Sequence, residues 1–574
     1  MKRIIKMLEP KRIFWLIVFI IIQTVALLAI PTVSANIVDY GVAPGDIDYI
    51  LRNGGIMILI AMFGFAAAIL NVYFAATESQ GVGTQLRKKL FDKIMFFSSE
   101  EIDEFGTSTL ITRTTSDVLQ VQRVLMFSLR LLILNPLRIV IAASLAFTRN
   151  AKLSLIFVVI IPILAFFIGI ILRKVTPLFR ILQVKNDDLN RVFREGLTGI
   201  RVIRAFNREE YEEDRFDEVN TDYRDTSILS RMYLAFLNPV MILLASGTSI
   251  LIIWFGGQLV SMDEMLVGNL IAFTSYSVNI LLGIMGISVI ITMLPRARVA
   301  VERIFNVVDT EESIVDAEET VEISEDTEEL TLSFDKVDFR YPGAEKLALK
   351  DINFSMKAGE KLAIIGGTGA GKSTLAELIL RLYDIESGSI KISGVDIHEM
   401  SQSYLRQLIG FATQDALLFS GTVRENLKYG NSEASDEELW EALDIAQGYE
   451  FVNNLRNKLD ARVEQGGDNF SGGQRQRLSI ARTLVTEADI LVFDDSFSAL
   501  DFQTDARLRA ALEPVTQDKL VMIIAQRINT VMDADQILVL DNGELAGLGT
   551  HEELKENNEV YQEIMESQMK GEDL

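Results

Sequence analysis

The chain has 574 residues, of which 49% are hydrophobic, and a formal net charge of −24. Its length predicts two or more domains, and a mean hydropathy of +0.25 is high for a wholly soluble protein. With no cysteines and two histidines, disulfides and cysteine-metal sites are excluded and there is little material for a histidine metal site.

In chain order, residues 13–38 and 53–77 are two charge-free runs. Each holds about 20 largely apolar residues, enough to cross a ~30 Å hydrocarbon core. A third span is predicted from Leu131 to Thr148, interrupted by Arg138, and a fourth from Leu153 to Leu172, after a short turn holding Arg149 and Lys152. The fifth and sixth lie within 232–262 and 265–295, with Asp263 and Glu264 between them. Six spans put both chain ends on one side of the membrane.

Lys2, Arg3, Lys6, Lys11 and Arg12 precede the first span and Arg87, Lys88, Lys89 and Lys93 follow the second, whereas the loop between them carries Asp39, Asp46 and Asp48. This bias predicts cytoplasmic termini for a multi-pass protein of the cell membrane. Residues 1–12 have no small-residue cleavage pattern, so the first apolar run is expected to stay as an anchored helix. Arg138 inside the third span either faces the bundle interior, pairs structurally, or snorkels toward the nearby turn; Asn71, Asn135, Trp254 and Tyr276 are further candidates for a cavity face.

Charged, helix-patterned stretches of about 50 to 60 residues separate spans two and three, and four and five. They are too long for turns and predict membrane helices that run on past the bilayer and fold back. Residues 1–310 form this membrane domain, and residues 311–330 lose apolar periodicity and read as an acidic, solvated linker. Residues 1–310 carry 31 Lys and Arg against 27 Asp and Glu, whereas residues 311–574 carry 24 against 52. An acidic C-terminal half argues against a nucleic-acid partner. From 331 to 574, short β-branched runs alternate with helical segments, the texture of an α/β domain with a largely parallel sheet.

That domain opens its chemistry with GGTGAGKST: Gly366, Gly367, Thr368, Gly369, Ala370, Gly371, Lys372, Ser373 and Thr374. The motif follows the strand-like KLAII and precedes the helical STLAELILRLY, which is its phosphate-binding context. Backbone N–H groups and a helix N-terminus favour phosphate, Lys372 reaches the outer phosphates, and Ser373 can ligate Mg²⁺. The later strand ILVFD ends in Asp494, a second candidate for Mg²⁺. ATP and Mg²⁺ are the implied ligands.

Between these motifs stands FSGGQ, Phe470, Ser471, Gly472, Gly473 and Gln474. It resembles the signature motif of ATP-binding cassette (ABC) proteins, whose usual first residue is leucine. Six spans followed by one cassette resemble, over nearly the whole length, a half-transporter of the multidrug ABC exporter type. The resemblance implies a type I exporter fold, with FGTSTLITRTTSDV (105–118) and REGLTGIRVIRAFNRE (194–209) carrying short coupling helices. It also implies that Tyr341 stacks on adenine, that Gln414 reaches Mg²⁺ and the coupling region, and that Ser498, Ala499, Leu500 and Asp501 form a loop crossing to a partner cassette.

Two positions depart from the family. Asp495 stands where it has the glutamate that activates the attacking water, and Gln526 where it has the histidine that contacts the γ-phosphate. Aspartate keeps the carboxylate but is about 1.5 Å shorter, and glutamine cannot become a cation. His398 and His551 cannot stand in by position. In the family each ATP lies between the phosphate loop of one cassette and the signature of the other. The resemblance therefore implies a heterodimeric exporter of small hydrophobic or amphipathic molecules, drugs or lipids. In it this chain binds ATP at a weakly hydrolysing site and lends FSGGQ to a second half-transporter that carries the glutamate and histidine. A slow homodimeric exporter and an ATP-gated regulator or channel subunit are the alternatives.

Overall fold

In a computed structural model, which describes residues 2–324 and 329–572, the chain divides into two units. One comprises residues 1–95 and 107–310, the other residues 96–106 and 311–574.

Among the described residues of the first unit, six helices are long and apolar enough to cross a membrane: Pro10–Val42, Ile47–Met95, Thr107–Arg149, Ala151–Thr198, Glu209–Ser261 and Val267–Ile287, the last continuing as helix to Val308. Ile47–Met95 has 49 residues, about 70 Å of helix, more than twice the thickness of a hydrocarbon core. The excess is the charged sequence after the second apolar run. Asn150 ends one helix in an extended conformation and starts the next, its Oδ1 accepting from the Leu153 N–H at 3.0 Å, so a single residue makes the turn. Close approach is set by Gly268, where a Cβ would stand 2.2 Å from the Ala35 carbonyl oxygen; its N–H donates to Asp39 Oδ1 at 2.6 Å.

Polar side chains inside this unit are mostly paired. Glu78, 3% exposed, accepts from the Glu9 N–H at 2.9 Å and from Arg12 at 3.2 Å. Tyr276, placed above among cavity candidates, is fully buried, and its hydroxyl lies 2.6 Å from Thr32 Oγ1, so it packs helix against helix. Trp254 is 65% exposed.

In the second unit a six-stranded sheet runs in the order Glu544–Gly549, Gln536–Asp541, Lys361–Gly366, Leu520–Ile524, Ile490–Asp494, Ile409–Ala412. All its pairings are parallel except the one at the Glu544–Gly549 edge. The central strands Leu520–Ile524 and Ile490–Asp494 are buried at every residue, as helix-covered parallel strands must be. A four-stranded antiparallel sheet contains Thr331–Phe339, Leu349–Lys357, Ser387–Ile392 and Val395–Asp396.

The segment expected as an acidic linker is held along this unit as far as it is described; its residues 325–328 lie outside the described residues. The Ser313 N–H donates to Glu101, the Val321 N–H to the Glu399 carbonyl, and the Ile323 N–H to Tyr404 Oη. Ile314 is 5% exposed. Apolar residues spaced among the acids give the segment its grip, and composition alone hides this.

The stretch 105–118 holds the short helix Thr107–Thr112, which runs on into the third long helix, and just before it lies another short helix, Ser99–Phe105, with Ser98 and Glu101 forming a capping box. Ser99–Phe105 belongs to the second unit, where Asp103 accepts a hydrogen bond from Tyr383 Oη at 2.9 Å. The short helix Ile200–Ala205 falls within 194–209 as expected.

Candidate nucleotide site

Parallel register brings the predicted residues to one edge. Pairing Ile524 with both Ile364 and Asp494, and Ala412 with Phe493, aligns the carboxyl ends of four strands. The chain then leaves each strand into the phosphate loop, Asp495, Gln526 and Gln414, at the end where open α/β sheets bind ligands. The result is a cleft of about 490 Å³ lined by Tyr341, Thr368, Gly369, Gly371, Lys372, Ser373, Thr374, Gln414, Asp494, Asp495 and Gln526.

Two of the loop's glycines cannot be replaced by larger residues without a clash. A Cβ on Gly366 would lie 2.3 Å from the Leu540 carbonyl oxygen, and Gly371, at φ +100°, would meet Leu349 at 2.6 Å. Lys372 heads the helix Lys372–Ile379 and donates to the carbonyls of Gly366 and Gly367 at 3.0 and 2.8 Å. Burial pushes its ammonium below the usual lysine range, opposed by Asp495 and Asp494. Ser373 Oγ donates to Asp494 Oδ1 at 3.1 Å. These two oxygens open onto the cleft, and a hydroxyl with a carboxylate is the hard donor set Mg²⁺ takes.

Asp495 is 8% exposed and sits at φ +45°, a strained backbone for a residue with a side chain. Its Oδ2 accepts from Gln526 Nε2 at 2.8 Å, with Gln414 Nε2 a longer 3.5 Å away. The two positions that depart from the family are thus bonded to each other. His398 is held by Asp396 at 2.9 Å and His551 by Tyr561 at 2.7 Å, and neither lines the cleft.

Burial raises both Asp494 and Asp495 above the usual carboxylate range; each aspartate also feels the cation of Lys372, which lowers it. By linkage their raised values favour the folded state below the ordinary carboxylate range, a contribution lost as pH rises through the raised values. Mg²⁺ needs the ionised form of Asp494. Lowering pH from about 7 to about 5 is therefore expected to weaken Mg²⁺-dependent nucleotide binding, measured with a fluorescent nucleotide, more than Mg²⁺-free binding held by backbone amides. Equal losses with and without Mg²⁺ would contradict this.

Tyr341 is half-buried and its hydroxyl, pushed up to about 12 by burial, bonds Thr374 Oγ1 at 2.8 Å and donates to Glu377 Oε2 at 2.9 Å. Glu377 escaped the sequence reading, although it stands one helical turn beyond Ser373. Asn542 and Ala348 also line the cleft and were missed. Asn542, at φ +48° in a D-N-G turn, carries a turn signal but no signal for nucleotide.

Residues 470–474 and 498–501 do not line this cleft. Phe470 is 6% exposed and packs against Phe451, so the unusual aromatic is an anchor. Ser471 and Gln474 form a reciprocal capping box at the start of the helix Gly472–Leu484, leaving Ser471 and Gly472 exposed. Leu500 is buried, and Asp501 caps the helix Phe502–Leu512 through the Thr504 N–H at 3.0 Å. Ser498 and Ala499 are exposed.

The family model of the ABC transporter transmembrane region matches residues 13–285, and that of the ABC transporter matches residues 349–498. An uncharacterized ABC transporter ATP-binding protein of Mycobacterium tuberculosis is 39% identical over 551 residues, covering 96% of this chain and 94% of that protein. The ATP-dependent lipid A-core flippase of Desulfotalea psychrophila is 32% identical over 512 residues, covering 88% of each chain. Among solved structures, a bacterial Atm1-family ABC exporter with ATP bound shares the fold, with a TM-score of 0.78 at 24% identity, over 97% of this chain and 98% of that one.

Proposed function

The chain belongs to the ABC transporters, and from that premise we propose that it is one half of a heterodimeric, ATP-driven exporter of small amphipathic molecules, with both termini cytoplasmic. Its membrane region is fused to an ABC ATPase domain coupled to transport, which implies binding of ATP and Mg²⁺.

In this reading Tyr341 carries the adenine, the loop amides from Gly367 to Thr374 wrap the phosphates, and Lys372 turns from its own loop carbonyls to the outer phosphates. Ser373 and Asp494, with Gln414 near, would hold Mg²⁺, which when bound neutralises phosphate charge. Closure of the paired cassettes on ATP would switch the membrane helices between inward- and outward-facing packings.

The observation that carries the asymmetric part is the 2.8 Å bond from Gln526 to Asp495. A short carboxylate engaged by a neutral amide is poorly placed to orient water, and displacements near 1 Å cost on the order of 100-fold in rate. The exposed Ser471 and Gly472, which do not line the chain's own cleft, suit service to a second nucleotide.

Purified alone, the full chain is expected to hydrolyse ATP at no more than about a tenth of the rate of the chain co-purified with its partner half-transporter. Equal rates would favour the homodimeric exporter. Downhill flux of substrate without hydrolysis would favour the channel.

A further inference from the structure

Inside the membrane unit, hydrogen-bond donors outnumber acceptors at one place. Arg138 stands 11 residues before Arg149 at the end of its helix, about 16 Å along the axis and near half the depth of a ~30 Å hydrocarbon core. That is too deep for one side chain to snorkel to the Arg149 end. Its Nε is buried with no hydrogen-bond partner, and it makes no ion pair among the described residues.

One turn earlier, Asn135 is 2% exposed and its Nδ2 also lacks a partner among the described residues. It is wedged against Gly286, where a Cβ would fall 2.2 Å from that nitrogen. A further ~12 Å from Arg138, away from the Arg149 end, Arg130 donates through Nε to Asn71 Oδ1 at 3.1 Å, a neutral acceptor. Arg138 within the span and Arg130 at its far edge thus have no carboxylate against them among the described residues. Intramembrane charge of this kind is costly and faces the bundle interior or a cavity. Orphaned donors beside an uncompensated cation call for an anion with several oxygens, which a guanidinium holds by paired bonds.

We infer that the molecule exported is an anionic amphiphile, with a phosphate or carboxylate headgroup held by Arg138 and Asn135 and drawn along by Arg130, and an apolar tail among the helices. This rests on the export reading above and deepens it by naming the charge of the substrate.

The test uses the co-purified pair in phosphatidylcholine nanodiscs and follows stimulation of ATP hydrolysis by four probes. These are dodecyl phosphate, phosphatidylglycerol, inorganic phosphate and dodecyltrimethylammonium. The expected result is stimulation by one or both anionic amphiphiles and by neither inorganic phosphate nor the cationic one. Dodecyl phosphate alone identifies a free amphiphile, and phosphatidylglycerol alone a lipid headgroup.

R138Q is expected to raise the half-maximal concentration by about 10-fold or more, R138K to restore most of it, and R149Q, at the helix end, to leave it unchanged. Stimulation by the cationic probe and not the anionic ones overturns the inference, as does an R138Q response equal to wild type. The wild-type panel decides the matter even if R138Q does not assemble. Absence of any hydrolysis by the unliganded pair would sink the export reading, whereas hydrolysis indifferent to anions sinks only this inference.

Discussion

Replacing Gly472 with aspartate is expected to cut ATP hydrolysis by the mixed pair by roughly 100-fold or more, the scale of losing groups that bear on developing phosphate charge. A Cβ at Gly472 meets nothing within 4 Å, and the residue is exposed at the first position of its helix, where aspartate complements the helix dipole. Folding therefore has no reason to suffer. Nucleotide affinity of the chain's own cleft is expected to stay unchanged, because Gly472 does not line it. In the proposed arrangement this residue faces ATP held by the partner, and a carboxylate there repels the phosphates. Loss of hydrolysis with full binding, measured on the same preparation, is the combination to look for. Weakened binding at this chain's cleft would place the signature at its own site.

The parts of the protein legible in its sequence are those in which a local run carries the physics. GGTGAGKST between a strand and a helix announces phosphate because glycines, lysine and helix start are consecutive. The spans announce themselves because hydrocarbon tolerates few charges. That they run on past the bilayer is legible in the charged, helix-patterned stretches, but the residue at which the helix stops, Met95 for Ile47–Met95, is not. Equally hidden were contacts between distant segments. Glu78 with Arg12, Tyr383 with Asp103 and Gln526 with Asp495 join residues whose meeting depends on helix packing or on parallel register. Asp495 and Gln526 were each legible as departures, but their bond was not, because it needs Ile524 to pair beside Asp494.

That bond gives the second large effect its direction. If the Asp495 carboxylate contributes little to orienting water, converting it to an amide removes little. The new amide would still meet Gln526 and Gln414 across the same cleft, and nothing in the phosphate loop would change. The partner's glutamate, by contrast, would carry nearly all of the hydrolysis, so the same one-atom change there removes the working base.

The most direct measurement compares ATP turnover of the purified pair carrying Asp495→Asn in this chain with the pair carrying the Glu→Gln change in its partner. The expected loss is no more than about 3-fold for the first and about 100-fold or more for the second. Equal large losses from both changes, or a larger loss from Asp495→Asn, would contradict it.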